Sequence, residues 1–159
     1  MKRVVITGVG GITAFGRDWA SIQTGFLQGK NAVVHMDWQD RFPELEAQLG
    51  APVADYQATE HWTRKQLRSM GRGTQMAVDA AEQALADAGL LGDERIRDGR
   101  MGVAAGSSVG STKDVGVMGD LLMHGNSSQF NAKTYANTEI YVMIPIMIEL
   151  TTSEIATNS

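Results

Sequence analysis

Four basic side chains crowd one short stretch of the chain, WTRKQLRSMGRG, where Arg64, Lys65, Arg68 and Arg72 fall at i, i+1, i+4 and i+8. If the stretch is one helix, that spacing puts all four on a single face. No acidic residue stands between positions 61 and 78 to neutralise them. Such a cluster is either a solvated helix face or a patch that steers an acidic partner. The second stretch with chemical content is MGVAAGSSVGSTKDVGVMGDLLM, residues 101–123. Gly106, Ser107, Ser108, Val109 and Gly110 carry almost no side-chain bulk there, so backbone or a ligand can approach closely. Ser111, with Asp114 three residues on, has the spacing of a capping box: the hydroxyl can take an orphan amide and the carboxylate sits in the positive first turn.

Other chemistry is excluded by what the chain lacks. It has 159 residues and no cysteine, so it offers no disulfide, no thiolate metal site and no cysteine nucleophile. His35, His61 and His124 are widely spaced, without the short intervals of a metal site, and no metal or cofactor is expected. No serine stands beside a visible base and orienter. A net charge of -4 argues against a general nucleic-acid binder, since phosphate neutralisation needs an excess of Lys and Arg. The run Gly8-Val9-Gly10-Gly11 suggests a dinucleotide loop, but the third glycine of that pattern would fall at position 13, where Thr13 stands, and no acidic residue follows at the usual distance after a second clear strand. No stretch approaches the roughly 18 apolar residues of a membrane span, and the basic N-terminus is too short and too Gly-broken for a signal peptide. A cytoplasmic protein with no membrane contact is therefore expected.

The elements that must position these residues are legible in outline. A composition of 43% hydrophobic and 20% charged residues suits one domain with a real core. Residues 3–8, RVVITG, read as a buried strand, and residues 101–105 as a second strand buried on both faces. Asp18 opens a helix with Trp19, Ile22 and Phe26 on one side, and Gly29 stops it. Residues 30–34 read as extended, residues 36–50 as a surface excursion, and residues 51–56 as an edge segment. From Ser69 onward Met76, Ala77, Ala80, Ala81, Ala84, Leu85 and Ala88 form a stripe of mostly small residues on a helix ended by Gly89, and an alanine face predicts close backbone packing in the interior. After the loop at 106–110, Val115, Met118, Leu121 and Leu122 form an apolar helical stripe. Residues 92–100 and 124–133 read as exposed loops, residues 140–150 as buried around Pro145, and the tail as polar. Eighteen glycines against three prolines fit a packed α/β structure rather than a flexible linker.

In this order, RVVITGVGGITAFG, WASIQTGFLQGKNAV, LGAPVADY, RKQLRSMGRGTQMAVDAAEQALADAGL and RMGVAAGSSVGS together resemble the N-terminal half of a β-ketoacyl-acyl carrier protein synthase of the elongating, type II kind. The resemblance runs through residues 1–123 and frays beyond Lys133. It implies an α/β, thiolase-like fold, N-terminal half only, with a mixed sheet and packed helices drawn from a five-layered arrangement, and it makes residues 1–159 a single partial domain that stops before the nucleophile. It implies further that Gly106, Ser107, Ser108, Val109 and Gly110 line the acyl-chain pocket at a homodimer interface, with Val109 gating chain length. It makes Lys65 and Arg68, with Arg64 and Arg72 nearby, the docking surface for acyl carrier protein. The family's acyl-accepting cysteine, its two histidines and its lysine lie beyond the matching segment, so no catalytic residue is expected here: condensation needs a thiolate and donors for the enolate. The chain by itself is expected to be inactive, and to be poorly folded or self-associating, since strand edges and apolar faces would be left exposed. A module that binds carrier protein or a synthase subunit without catalysis is the alternative reading.

Overall fold

The computed structural model describes residues 4–138, apart from 39, 41, 108 and 109. Helix α1, Trp19–Leu27, starts where Asp18 accepts the Ser21 amide at 2.8 Å, a cap that satisfies one of the free amides of the first turn. It ends at Gly29, whose positive φ suits a residue without a side chain. Ile22 and Gly25 are the buried positions of α1. Phe15 lies over Gly25 and meets Phe26 edge to face at 5.5 Å, yet Phe26 remains 62% exposed, so the expected apolar side is only partly covered.

Strands β1, Val34–His35, and β2, Leu49–Gly50, pair antiparallel, with Val34 opposite Gly50. They close the base of the surface excursion read at 36–50. Residues 51–56 form no strand.

Helix α2, Arg64–Arg68, and helix α3, Arg72–Asp87, carry the core between them. Trp62, Met70 and Val78 are buried together, and Ala58 and Leu67 pack on them. The alanine face of α3 meets the glycine run near the N-terminus. A Cβ on Gly8 would stand 2.7 Å from Ala88 N, and one on Gly10 would stand 2.8 Å from Ala84 N, with the Ala84 and Ala80 carbonyls nearer still. Only glycine permits that approach, and only a face of alanines offers the backbone to approach. The amides of the run find partners on the same helix: Val9 donates to Asp87 Oδ2 at 2.9 Å and Gly11 to Gln83 Oε1 at 3.4 Å. The Gly8 to Gly11 run therefore seats backbone against a helix flank.

Helix α4, Thr112–His124, ends at Gly125 in the left-handed region and packs against α5, Ala132–Thr138. Asn131 caps α5, accepting from the Lys133 and Thr134 amides, so the loop read at 124–133 gives way to helix two residues early. The apolar stripe of α4 is half open, with Leu122 exposed and no residue of the helix fully buried. A 3-10 turn, Glu94–Ile96, lies within the exposed loop 92–100.

The two long strands expected from the sequence do not form. Residues 4–6 and 101–105 form neither helix nor strand, Val4 being 94% and Ile6 86% exposed, with Met101 and Val103 also open. A helix closes its own hydrogen bonds, whereas a strand exists only beside another strand. Among the described residues neither segment has one. The apolar stretch at 140–150 and the tail lie outside the described residues. No helix among those described is long and apolar enough to cross a membrane.

Candidate functional site

The basic helix α2 is held by its first residue's neighbour. Thr63 accepts from the Gln66 amide at 3.3 Å while Gln66 accepts from the Thr63 amide at 2.8 Å, a reciprocal capping box. The Thr63-x-x-Gln66 spacing signals that start in the sequence. On its inner side Leu67 packs on the Trp62, Met70 and Val78 cluster. Just before α2, Glu82 of α3 takes the Trp62 indole N–H at 2.9 Å and meets His61 Nε2 at 3.1 Å. The helix is thus short but pinned, and it presents Arg64, Lys65 and Arg68 outward.

Arg72 does not stand on the same helix. The chain breaks between α2 and α3 at residues 69–71, so the i+8 relation that put Arg72 beside Arg64 does not hold. Its guanidinium instead donates to the carbonyls of Tyr56 at 3.1 Å and Val53 at 2.5 Å, and lies over the Tyr56 ring at 5.5 Å. Three carbonyls of the 53–56 segment, counting Ala54 at 3.4 Å, thereby gain a donor that no sheet supplies. This explains why residues 51–56 hold a defined path without being a strand.

Behind Tyr56 stands a polar group that the sequence reading passed over. Asp79, buried on the alanine-rich helix, accepts from Arg17 at 2.7 Å and from Gln83 at 2.9 Å. Arg17 also lies over the Tyr56 ring, at 5.1 Å. The Tyr56 hydroxyl is buried and without a hydrogen-bond partner among the described residues. Burial first, and the Asp79 carboxylate second, push it up to about 12, against partial opposition from Arg17 and Arg72. A carboxylate set between Val78 and Ala80 was the available signal, because a buried charge needs a partner.

In the small-residue loop, Gly106 and Ser107 are exposed, and a Cβ on Gly106 would meet nothing within 4 Å. The described part of the loop is therefore open at Gly106. Ser107 Oγ accepts the Gly110 amide at 3.0 Å, and Gly110 adopts a positive φ. Ser108 and Val109 lie outside the described residues. Ser111 precedes α4 as expected but caps it differently: its hydroxyl donates to Asp114 Oδ2 at 2.5 Å and takes no backbone amide. The carboxylate still lies in the first turn, where the helix dipole favours it. The loop's end reaches the start of α3, where Gly71 and Gly73 face Ser111 and Gly110. Helix α2 and the loop are therefore adjoined through the α2–α3 joint. No group of three or more potential metal ligands occurs among the described residues.

The arrangement defines an α/β chain of thiolase-like fold, whose solved neighbours are ketosynthases. A β-ketoacyl synthase from Burkholderia phymatum STM815 superposes with a TM-score of 0.84 at 42% identity, over 95% of this chain and 37% of that one. The ishigamide ketosynthase/chain length factor, at 22% identity and a TM-score of 0.71 over 94% of this chain and 37% of its own, supports the fold alone. The family model for the N-terminal domain of β-ketoacyl synthases matches residues 1–158, and the chain belongs to that family. Among curated relatives, the 3-oxoacyl-[acyl-carrier-protein] synthase 2 of Synechocystis sp. is 34% identical over 112 residues, 70% of this chain and 26% of that protein. That of Vibrio harveyi is 31% identical over 127 residues, 80% and 28% respectively. The chain spans about a quarter of the length of these relatives.

Proposed function

We propose that this chain supplies the N-terminal part of a β-ketoacyl-acyl carrier protein synthase, which condenses acyl groups with malonyl-carrier protein in fatty-acid or polyketide synthesis in the cytoplasm, as a homodimer. The observation that carries the reading is α2: a helix capped at Thr63, anchored through Leu67, and carrying Arg64, Lys65 and Arg68 on its exposed side. Positive charge held at fixed spacing on an acidic chain is what raises the encounter rate with an acidic carrier protein. Arg72 belongs to this surface only indirectly, through its hold on residues 53–56. Gly106, Ser107, Ser108, Val109 and Gly110 are assigned to one wall of the acyl pocket, with Val109 setting its depth. The thiolate, the enolate donors and the opposite wall are not among the groups this chain contains, so the chain by itself is expected to release no carbon dioxide from malonyl-carrier protein above a blank.

The test is a chimera in which residues 1–138 replace the matching segment of the Burkholderia ketosynthase. Condensation at a rate near the parent's supports the reading. A chimera that folds as the parent does, yet neither condenses nor loses carrier affinity when Lys65→Glu and Arg68→Glu are introduced, overturns it. In an active chimera that double reversal is expected to weaken carrier binding on the order of tenfold, mostly through association. The loss should shrink as salt rises, because screening acts on solvated charges.

A further inference from the structure

The joint between α2 and α3 holds a glycine that its own backbone does not require. Gly71 has φ -70° and ψ 167°, a conformation open to any residue, and it is the N-cap of α3, where Ser, Thr, Asp or Asn would satisfy an amide that Gly71 leaves without a side-chain acceptor. The reason for glycine is space. A Cβ there would stand 2.9 Å from Ser111 Cβ and 3.1 Å from Ser111 Oγ. Ser111 cannot readily turn away, since its hydroxyl is committed to Asp114 and its carbonyl accepts the Val115 amide at 2.9 Å. On the other side the joint is equally fixed: Met70 is buried beside Trp62 and Val78, and Gln75 Nε2 donates to the Met70 carbonyl at 3.1 Å.

Resting on the docking and pocket reading above, we propose that Gly71 is a positioning residue that holds the carrier-docking helix α2 and the pocket-side start of α4 in one fixed relation, so that displacement of either is passed through the joint to the other. Both ends of the joint are direct packing contacts, and close packing of low compressibility passes strain from one wall to the other. A synthase built this way would register carrier docking on α2 at the end of its own acyl-pocket loop.

Hydrogen exchange on the full 159-residue chain tests this without any carrier protein, so its failure is separable from failure of the docking reading. Gly71→Ala is expected to speed exchange on the order of tenfold at Leu67 and Met70 on one side and at Val115 on the other, as overpacking strain spreads both ways, while the amides of α1 keep their rates. Gly71→Ala combined with Ser111→Gly removes the opposing Cβ and should return both sides to the parental rates. If Gly71→Ala does not fold, Ser111→Thr presses the same contact from the other side and is read in the same way. Acceleration confined to one side of the joint, or a double variant no slower than the single one, overturns the proposal.

Discussion

The pairing of Gly8 to Gly11 with α3 and the bare segments at 4–6 and 101–105 make an instructive contrast. The glycine run follows directly on the strand expected at 3–8, and the bare segments belong to the strands expected at 3–8 and 101–105. The first is seated, because its partner is a helix within the same chain that has shed its side chains to alanine and turned Gln83 and Asp87 toward the free amides. The others stand open, with Ile6 and Met101 toward solvent. Apolarity alone therefore does not bury a segment: a complementary surface must also be present, and for extended backbone that surface has to supply hydrogen bonds.

Replacing residues on either side of that contrast should separate the two regions by size of effect. Trp62→Ala removes the largest member of the core cluster and the indole donor to Glu82, and is expected to cost about 3–5 kcal/mol, read from the denaturant midpoint of the chain. A loss below about 1 kcal/mol would mean that the cluster is no core at all. Gly10→Val drives a branched side chain into the Ala80 to Ala84 backbone and should cost about 3 kcal/mol, because neither wall can withdraw without unwinding α3. If Gly10→Val melted with the parent, the close seating of the glycine run would be wrong.

Titration sharpens the comparison further. Tyr56 should ionise late, near the value of about 12 set by burial and Asp79. The unfolded residue, near 10.0, releases its proton first, so this group's contribution is complete below about pH 10 and is lost as the pH climbs toward 12. Ultraviolet titration of the parent against Tyr56→Phe checks it: loss of an early step, rather than a late one, would contradict the packing. The smallest effect belongs to the open segments. Ile6→Ser should leave stability within about 0.5 kcal/mol, since the side chain gives up almost no burial. A large destabilisation by calorimetry would show that residues 4–6 are covered in solution, for instance by a second copy, and would erase the contrast.

The basic cluster shows how sequence periodicity and tertiary structure divide the work. Arg64, Lys65 and Arg68 lie within one helix, and their common exposure was readable from spacing alone. Arg72 satisfied the same arithmetic but stands on a separate helix, because the joint at 69–71 interrupts the run, and its guanidinium is drawn to three carbonyls 16 to 19 residues earlier. Ser111 is a similar case: its position before the helix followed from the pattern, but the presence of Gly71 against it and the bond to Asp114 did not.

By itself, then, the amino-acid order determined the local features: Asp18 at a helix start, Gly29 and Gly89 as helix stops, an alanine face that must meet backbone closely, and the absence of any thiol nucleophile. These depend on residues three or four apart, or on composition, and so are visible without coordinates. Only the tertiary structure decided which surface the alanines meet, that Asp79 is buried against Arg17 across 62 positions, that two guanidinium groups lie over the Tyr56 ring, and that two apolar runs find no strand partner among the described residues. Those outcomes rest on contacts between residues far apart in the chain, and the patterns within each segment do not name the partner that long-range packing will bring to it.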